Sequence, residues 1–173
     1  MQLTTHEVVS PLVNSVLHRA GKYLIFQLGK EEFGIQVLKV REIMGIQDIT
    51  PVPHLPAHVK GVLNLRGRII PVVDLRLKFG LEAKEYTQRT CIIVVQVAVA
   101  GAEPNPIGIV VDGVAEVLNV VEGDVEDTPQ FGQDTDTSYL LGIAKIKGQV
   151  KLLLDIDKAL EASELCKLAA VTN

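Results

Sequence analysis

VKGVLNLRGRIIPVVDLRL, Val59 to Leu77, decides how this chain is built, because it returns as LLGIAKIKGQVKLLLDIDK at Leu140 to Lys158. Gly61, Gly67 and Asp74 meet Gly142, Gly148 and Asp155. An earlier block repeats as well: FGIQVLKVREIM at Phe33 to Met44 resembles IGIVVDGVAEVL at Ile107 to Leu118. Here Gly34, Ile35, Val40 and Glu42 stand opposite Gly108, Ile109, Val114 and Glu116. The first block recurs after 74 residues and the second after 81, so the second copy holds 7 more, in the polar run Asn119 to Ser138. Two long copies do not make a solenoid, which stacks several short repeats. They predict two similar lobes, and they separate residues that both copies need from residues that one copy uses.

Working outward, KYLIFQL at Lys22 to Leu28 and CIIVVQVAV at Cys91 to Val99 read as strands, each followed by a Gly-marked second strand, Glu32 to Val37 and Ile107 to Val111. Gly29-Lys30-Glu31 and Gly101 to Pro106 read as the hairpin turns between them. Gly34, Gly67, Gly108, Gly142 and Gly148 are expected to mark structural turns, where positive φ is cheap only for glycine. Asp74 and Asp155 each follow an apolar strand and suit turn or helix capping. Each copy therefore offers about five short strands, and antiparallel strands of that number gain by closing into a barrel that removes free edges. The predicted fold is all-β with one C-terminal helix, two small barrels built from units at about 21–80 and 90–160, with strand exchange between them allowed. Asp157 to Ala170 carries Leu160, Ala162, Leu165 and Leu168 at near-helical spacing and is predicted to be that helix. Residues 1–20 form an extension whose Val8, Val9, Leu12, Val13, Val16 and Leu17 suit a short amphipathic helix begun or broken by Pro11, or equally a mobile tail.

The 173 residues suffice for a substantial core, and the 47% hydrophobic content rests on Val, Ile and Leu with no Trp, a palette suited to pleated surfaces. A net charge of −4 without a basic patch or aromatic platform argues against nucleic acid. Cys91 and Cys166 have no close partner spacing and read as reduced thiols. No apolar run approaches the roughly 20 residues of a membrane helix, and the N-terminus lacks a secretory pattern. A cytoplasmic protein is expected, reaching membranes only through partners.

The usual chemical arrangements are missing. Gly29-Lys30 lacks the glycine that opens a phosphate loop, and neither G-x-G-x-x-G nor G-x-S-x-G occurs. His54 and His58 are four apart, yet Pro53 and Pro56 deny them a helix and no third Cys or His lies near. Asp134 and Asp136 begin like a calcium loop, but Tyr139 stands where the turn glycine belongs. Asp74 and Asp155 recur in both copies, which marks them as architectural. No catalytic residue, cofactor, metal or small-molecule substrate is predicted. What remains is asymmetry: Asn64, Arg66 and Pro71 in copy one face Lys145, Lys147 and Leu152 in copy two. Arginine offers a rigid fork of donors that lysine lacks, and it is enriched at interface hot spots. Arg66 is either a solvated turn cation or an anchor.

At these residues the chain resembles the chemotaxis coupling proteins, the CheW family. EEFGIQVLKVREI, HVKGVLNLRGRIIPVVDLRLKFG, IGIVVDGVAEVL and YLLGIAKIKGQVKLLLDIDKAL fall in family order over about Gly21 to Leu160. The resemblance implies two five-stranded Src-homology-3-like barrels around a hydrophobic centre. It implies a non-enzymatic adaptor coupling the cytoplasmic tips of methyl-accepting chemoreceptors to the histidine kinase CheA, with a detached regulatory domain of the kinase or an adaptor of a non-flagellar, pilus-type pathway as the alternative. By motif, Arg66 matches a receptor-binding arginine and Glu42 an acidic residue that pairs with it, while Val40, Lys60 and Gly61 match kinase-facing positions.

Overall fold

The computed structural model describes residues 19–98, 101, 103–129, 131 and 137–160. Copy one contributes β1 (Gly21–Leu28), β2 (Glu31–Gln36), β3 (Val40–Gly45), β4 (Val59–Leu65) and β5 (Arg68–Asp74), followed by the one-turn helix α1 (Leu75–Lys78). Copy two contributes β6 (Cys91–Val97), β7 (Asn105–Val111), β8 (Gly113–Val120), the two-residue β9 (Val125–Glu126), β10 (Leu140–Ile146) and β11 (Gln149–Leu154), followed by α2 (Ile156–Ala159). The copies do not fold separately. One sheet runs β3-β6-β7-β5-β4 and the other β8-β1-β2-β11-β10-β9. Each lobe therefore takes its leading hairpin from the other copy: β6–β7 enters the first lobe and β1–β2 the second.

The exchange is sealed by two parallel pairings at equivalent places, β5 with β7 (Val72 opposite Gly108) and β11 with β2 (Leu153 opposite Gly34). It also explains why the hairpin strands are continuous apolar runs. In β6, Ile92 and Val94 point into the first lobe's core while Ile93, Val95 and Val97 point into a central layer between the lobes. In β1, Tyr23 and Ile25 fill the second lobe while Leu24, Phe26 and Leu28 join the same central layer. Strands buried on both faces lose the polar alternation of a half-exposed strand. An aromatic ladder crosses this layer, Phe26–Phe33–Phe79–Tyr139, with ring centroids 6.0, 5.8 and 5.2 Å apart.

Closure of each barrel depends on a glycine. Thr50 and Val62 exchange two backbone hydrogen bonds of 2.9 Å, drawing the segment after β3 across β4. Beneath it Gly61 sits at a bulge with φ 139°, and a Cβ there would lie 2.0 Å from the Thr50 carbonyl oxygen. The second lobe repeats this where β9 crosses β10, with Glu126 opposite Ile143. A Cβ on Gly142 would lie 2.7 Å from Val125 Cγ1 and 2.9 Å from the Glu126 carbonyl oxygen.

The glycine assignments need three corrections. Gly34 and Gly108 are not turn residues: they lie inside β2 and β7, where the parallel pairing brings side chains onto the backbone. A Cβ on Gly34 would sit 3.0 Å from Ile25 Cδ1 and 3.1 Å from Leu153 Cδ2, and one on Gly108 3.0 Å from Ile92 Cγ2. Gly142 lies within β10 at a bulge rather than in a turn. Gly67 and Gly148 do occupy tight turns, with φ 87° and 76°. The Asp74 carboxylate accepts from the Arg76 and Leu77 N–H groups at 2.9 and 3.4 Å, and Asp155 accepts from Lys158 at 3.3 Å. Of the C-terminal helix expected over Asp157 to Ala170, Asp157–Ala159 are helical, within Ile156–Ala159, while Leu160 caps it with non-helical backbone; 161–170 lie outside the described residues, as do 1–18.

Ion pairs of opposite polarity fasten the exchange. Arg76 in α1 donates to Asp112, just after the β6–β7 hairpin, at 2.6 Å, and Asp112 also accepts from the Gly29 N–H in the β1–β2 turn at 2.7 Å. At the equivalent place in α2, Asp157 accepts from Lys39, just after β1–β2, at 2.8 Å and from the Ala98 N–H beyond β6 at 2.8 Å. Both pairs join a helix of one copy to the hairpin of the other, so they form only in the exchanged arrangement.

Three outcomes follow from these contacts. Gly61→Ala should cost more than about 3 kcal/mol in urea unfolding, and Gly67→Ala, whose Cβ meets open space, only about 1. Asp112→Arg should cost about 3 kcal/mol, and the added Arg76→Asp should recover much of it, since the pair is mostly buried. The buried Tyr23 hydroxyl donates to the Arg19 carbonyl at 2.8 Å, and burial pushes its pKa up to about 12. That lies above the unfolded value of about 10, so the stabilisation is present below pH 10 and lost as pH rises towards 12, by roughly 1 kcal/mol. Tyr23→Phe should flatten this alkaline loss, read by denaturation with phenolate absorbance as the titration probe.

Candidate functional site

Arg66 is placed by the shortest possible turn. Leu65 pairs with Arg68, leaving Arg66 and Gly67 as a two-residue hairpin loop with φ 51° and 87°. Positive φ at both residues is the type I′ pattern, whose twist matches that of the flanking strands. Arginine in this region costs about 1 kcal/mol relative to extended backbone. The Asn64 side-chain oxygen offsets part of it by accepting from the Gly67 N–H at 2.8 Å. Lys147 holds the same geometry, φ 52°, in the β10–β11 turn. The backbone is thus common to both copies and only the side chains differ.

The turn carries Arg66 over to β3, at the opposite edge of the same curled sheet, where its Nη2 donates to both Glu42 oxygens at 2.5 and 3.0 Å. This pair spans the barrel seam. The Glu42 side chain is 26% exposed and that of Arg66 74%, so the cation is presented outward with the carboxylate behind it. The hydrogen bond from Arg66 holds the Glu42 carboxyl below its ordinary range, and the same contact raises Arg66. Glu42 remains ionised throughout the physiological range. Among the described residues, Glu116 and Lys147 in the second lobe make no such pair.

Beside the pair lies a shallow depression of about 310 Å³ lined by Arg41, Glu42, Leu65, Arg66, Arg68, Ile70, Val94 and Pro106. Arg41 is the bulge residue of β3, the one skipped between the Val40–Val95 and Glu42–Val94 pairings. A bulge re-aims side chains, so Arg41 turns outward, donating to Gln96 at 3.1 Å, while Val40 packs against the central core. Val94 and Pro106 arrive on the exchanged hairpin, so neither copy makes this surface alone.

The kinase-facing positions suggested by resemblance differ in exposure. Val40 and Lys60 are both half-buried, on strands at opposite edges of the first lobe's sheet. Gly61 is buried under Thr50 and is not a surface residue. His54 and His58 belong to no group of metal-ligating residues among those described, while Asp134, Asp136 and Cys166 lie outside the described residues. No helix of the described residues is long and apolar enough to cross a membrane. Reading the sequence missed Arg41, Arg68, Val94 and Pro106. Carrying the copy-to-copy comparison further would have shown two of them, since Ala115 and Gln149 replace Arg41 and Arg68. Nothing in the sequence places Val94 and Pro106 beside Arg66.

The CheW-like domain family model matches residues 22–164. The chemotaxis protein CheW of Klebsiella aerogenes is 39% identical over 144 residues, 83% of this chain and 84% of that protein. The chemotaxis protein CheW of Rhizobium meliloti is 36% identical, covering 88% of this chain and 97% of the relative. In three dimensions the chain is similar to the scaffolding protein TtCheW from Thermoanaerobacter tengcongensis, with a TM-score of 0.71, 31% identity, and coverage of 82% of this chain and 93% of that one. Repeat, exchanged barrels and matching relatives agree: this chain belongs to the CheW-like family of chemotaxis adaptor proteins.

Proposed function

We propose that this protein is a non-enzymatic adaptor that couples the tips of methyl-accepting chemoreceptors to the histidine kinase CheA, reaching the membrane through those partners. The observation that carries this reading is the outward-facing Arg66, held by Glu42 at the rim of a shallow groove in the first lobe. A preformed, partly exposed charge beside an apolar floor suits a helical partner segment, since it fixes orientation without requiring any reacting group. Arg66 and Glu42 face the receptor, Val40 and Lys60 contribute to the kinase surface, and Gly61 supports that surface from beneath. Individually weak contacts of this kind gain strength when receptors, kinase and adaptor are arrayed together.

The test is kinase autophosphorylation with receptor membranes, with and without the protein. Wild type should raise the activity and make it respond to receptor ligand. Arg66→Glu should weaken receptor co-sedimentation roughly tenfold or more while CheA binding and thermal stability stay near wild type. Unchanged receptor binding in a folded variant would exclude Arg66 from the interface.

A further inference from the structure

We infer that the depression beside Arg66 receives a partner segment presenting one apolar side chain flanked by carboxylates. This rests on the adaptor reading and names the chemistry of the segment that enters the site.

Three guanidinium groups, Arg41, Arg66 and Arg68, line one depression with a single carboxylate, Glu42. The formal charge there is +2 on a chain whose net charge is −4. Glu42 is already engaged by Arg66, and Arg41 reaches a neutral acceptor, Gln96. Arg68 has no ion-pair partner among the described residues. Leu65, Ile70, Val94 and Pro106 underlie the depression, Leu65 partly exposed and Ile70 and Val94 each 1% exposed. An apolar group alone would draw water away from these cations without replacing its hydrogen bonds. A segment that also carries carboxylates supplies the missing acceptors, and guanidinium forks match them closely.

The second lobe serves as an internal control. There Ala115, Glu116, Lys147 and Gln149 replace Arg41, Glu42, Arg66 and Arg68, leaving no net formal charge. The floor changes as well, because Lys151 and Glu32 stand where the first lobe has Ile70 and Pro106. Lys151 is 4% exposed and donates to Glu32 and to Gln149, so the counterpart of the floor is a closed polar network. One backbone thus carries two different surfaces, and only the first combines excess positive charge with an apolar base. The basic rim accordingly discriminates between partners through charge and leaves the apolar contact common to all.

Two synthetic amphipathic helical peptides test this, alike except for Glu or Gln on either side of a central leucine, titrated against the full chain by fluorescence anisotropy. The Glu peptide should bind roughly tenfold more tightly, two partly exposed pairs contributing on that scale, and the difference should vanish near 1 M salt. Arg41→Glu with Arg68→Glu, both exposed and so tolerated by the fold, should abolish the preference and favour a Lys-flanked peptide. Equal affinities, binding of neither peptide, or a preference for Glu that survives in the double variant would overturn the inference. Receptor-dependent kinase activation by the wild-type chain separates it from the adaptor reading. Intact coupling with no peptide discrimination overturns only the partner chemistry, and discrimination without coupling overturns only the adaptor assignment.

Discussion

Exchange of the leading hairpins between the two copies is the constraint from which the remaining structure follows. Because β6–β7 lies in the first lobe and β1–β2 in the second, neither lobe closes without residues from both halves of the chain. The cost is loop closure over long stretches, which grows only slowly with length. The return is a hydrophobic layer shared by the lobes, lined on one side by Leu24, Phe26 and Leu28 and on the other by Ile93, Val95 and Val97. Arg76–Asp112 and Lys39–Asp157 fasten each hairpin to the lobe of the other copy.

The functional surface inherits this construction. Glu42 and Arg66 belong to copy one, yet the floor beside them includes Val94 and Pro106 from copy two. The same architecture makes a matching place in the second lobe, where a buried Lys151 reaches the partly exposed Glu32. Duplication thus supplied two equivalent backbones, and substitution at a handful of side chains set one aside as an open, positively charged face.

Much of this was legible in the residues. The spacing of Gly61, Gly67 and Asp74 against Gly142, Gly148 and Asp155 gave the duplication, and the single mismatch of Arg66 with Lys147 pointed at the site. Other features read differently once folded. Gly34 and Gly108 look like turn glycines, and they are instead places where a neighbouring side chain presses on a strand. Gly61 falls within a motif that suggests a surface contact, and it is buried because a carbonyl crosses above it. A glycine signals only that a Cβ is unwelcome. Whether the reason is dihedral angle or crowding depends on what lies opposite.

The sequence by itself determined the repeat, the strand-rich composition, the turn glycines Gly67 and Gly148 and the identity of the exceptional arginine, since all of these depend on neighbours along the chain. Tertiary structure alone decided which hairpin enters which lobe, that Glu42 meets Arg66 across a barrel seam, and that Arg41 and Arg68 gather at the same depression. Those pairings join residues tens of positions apart. They are set by closure of the barrels, the buried central layer and the fastening ion pairs, which exist only once the chain has folded.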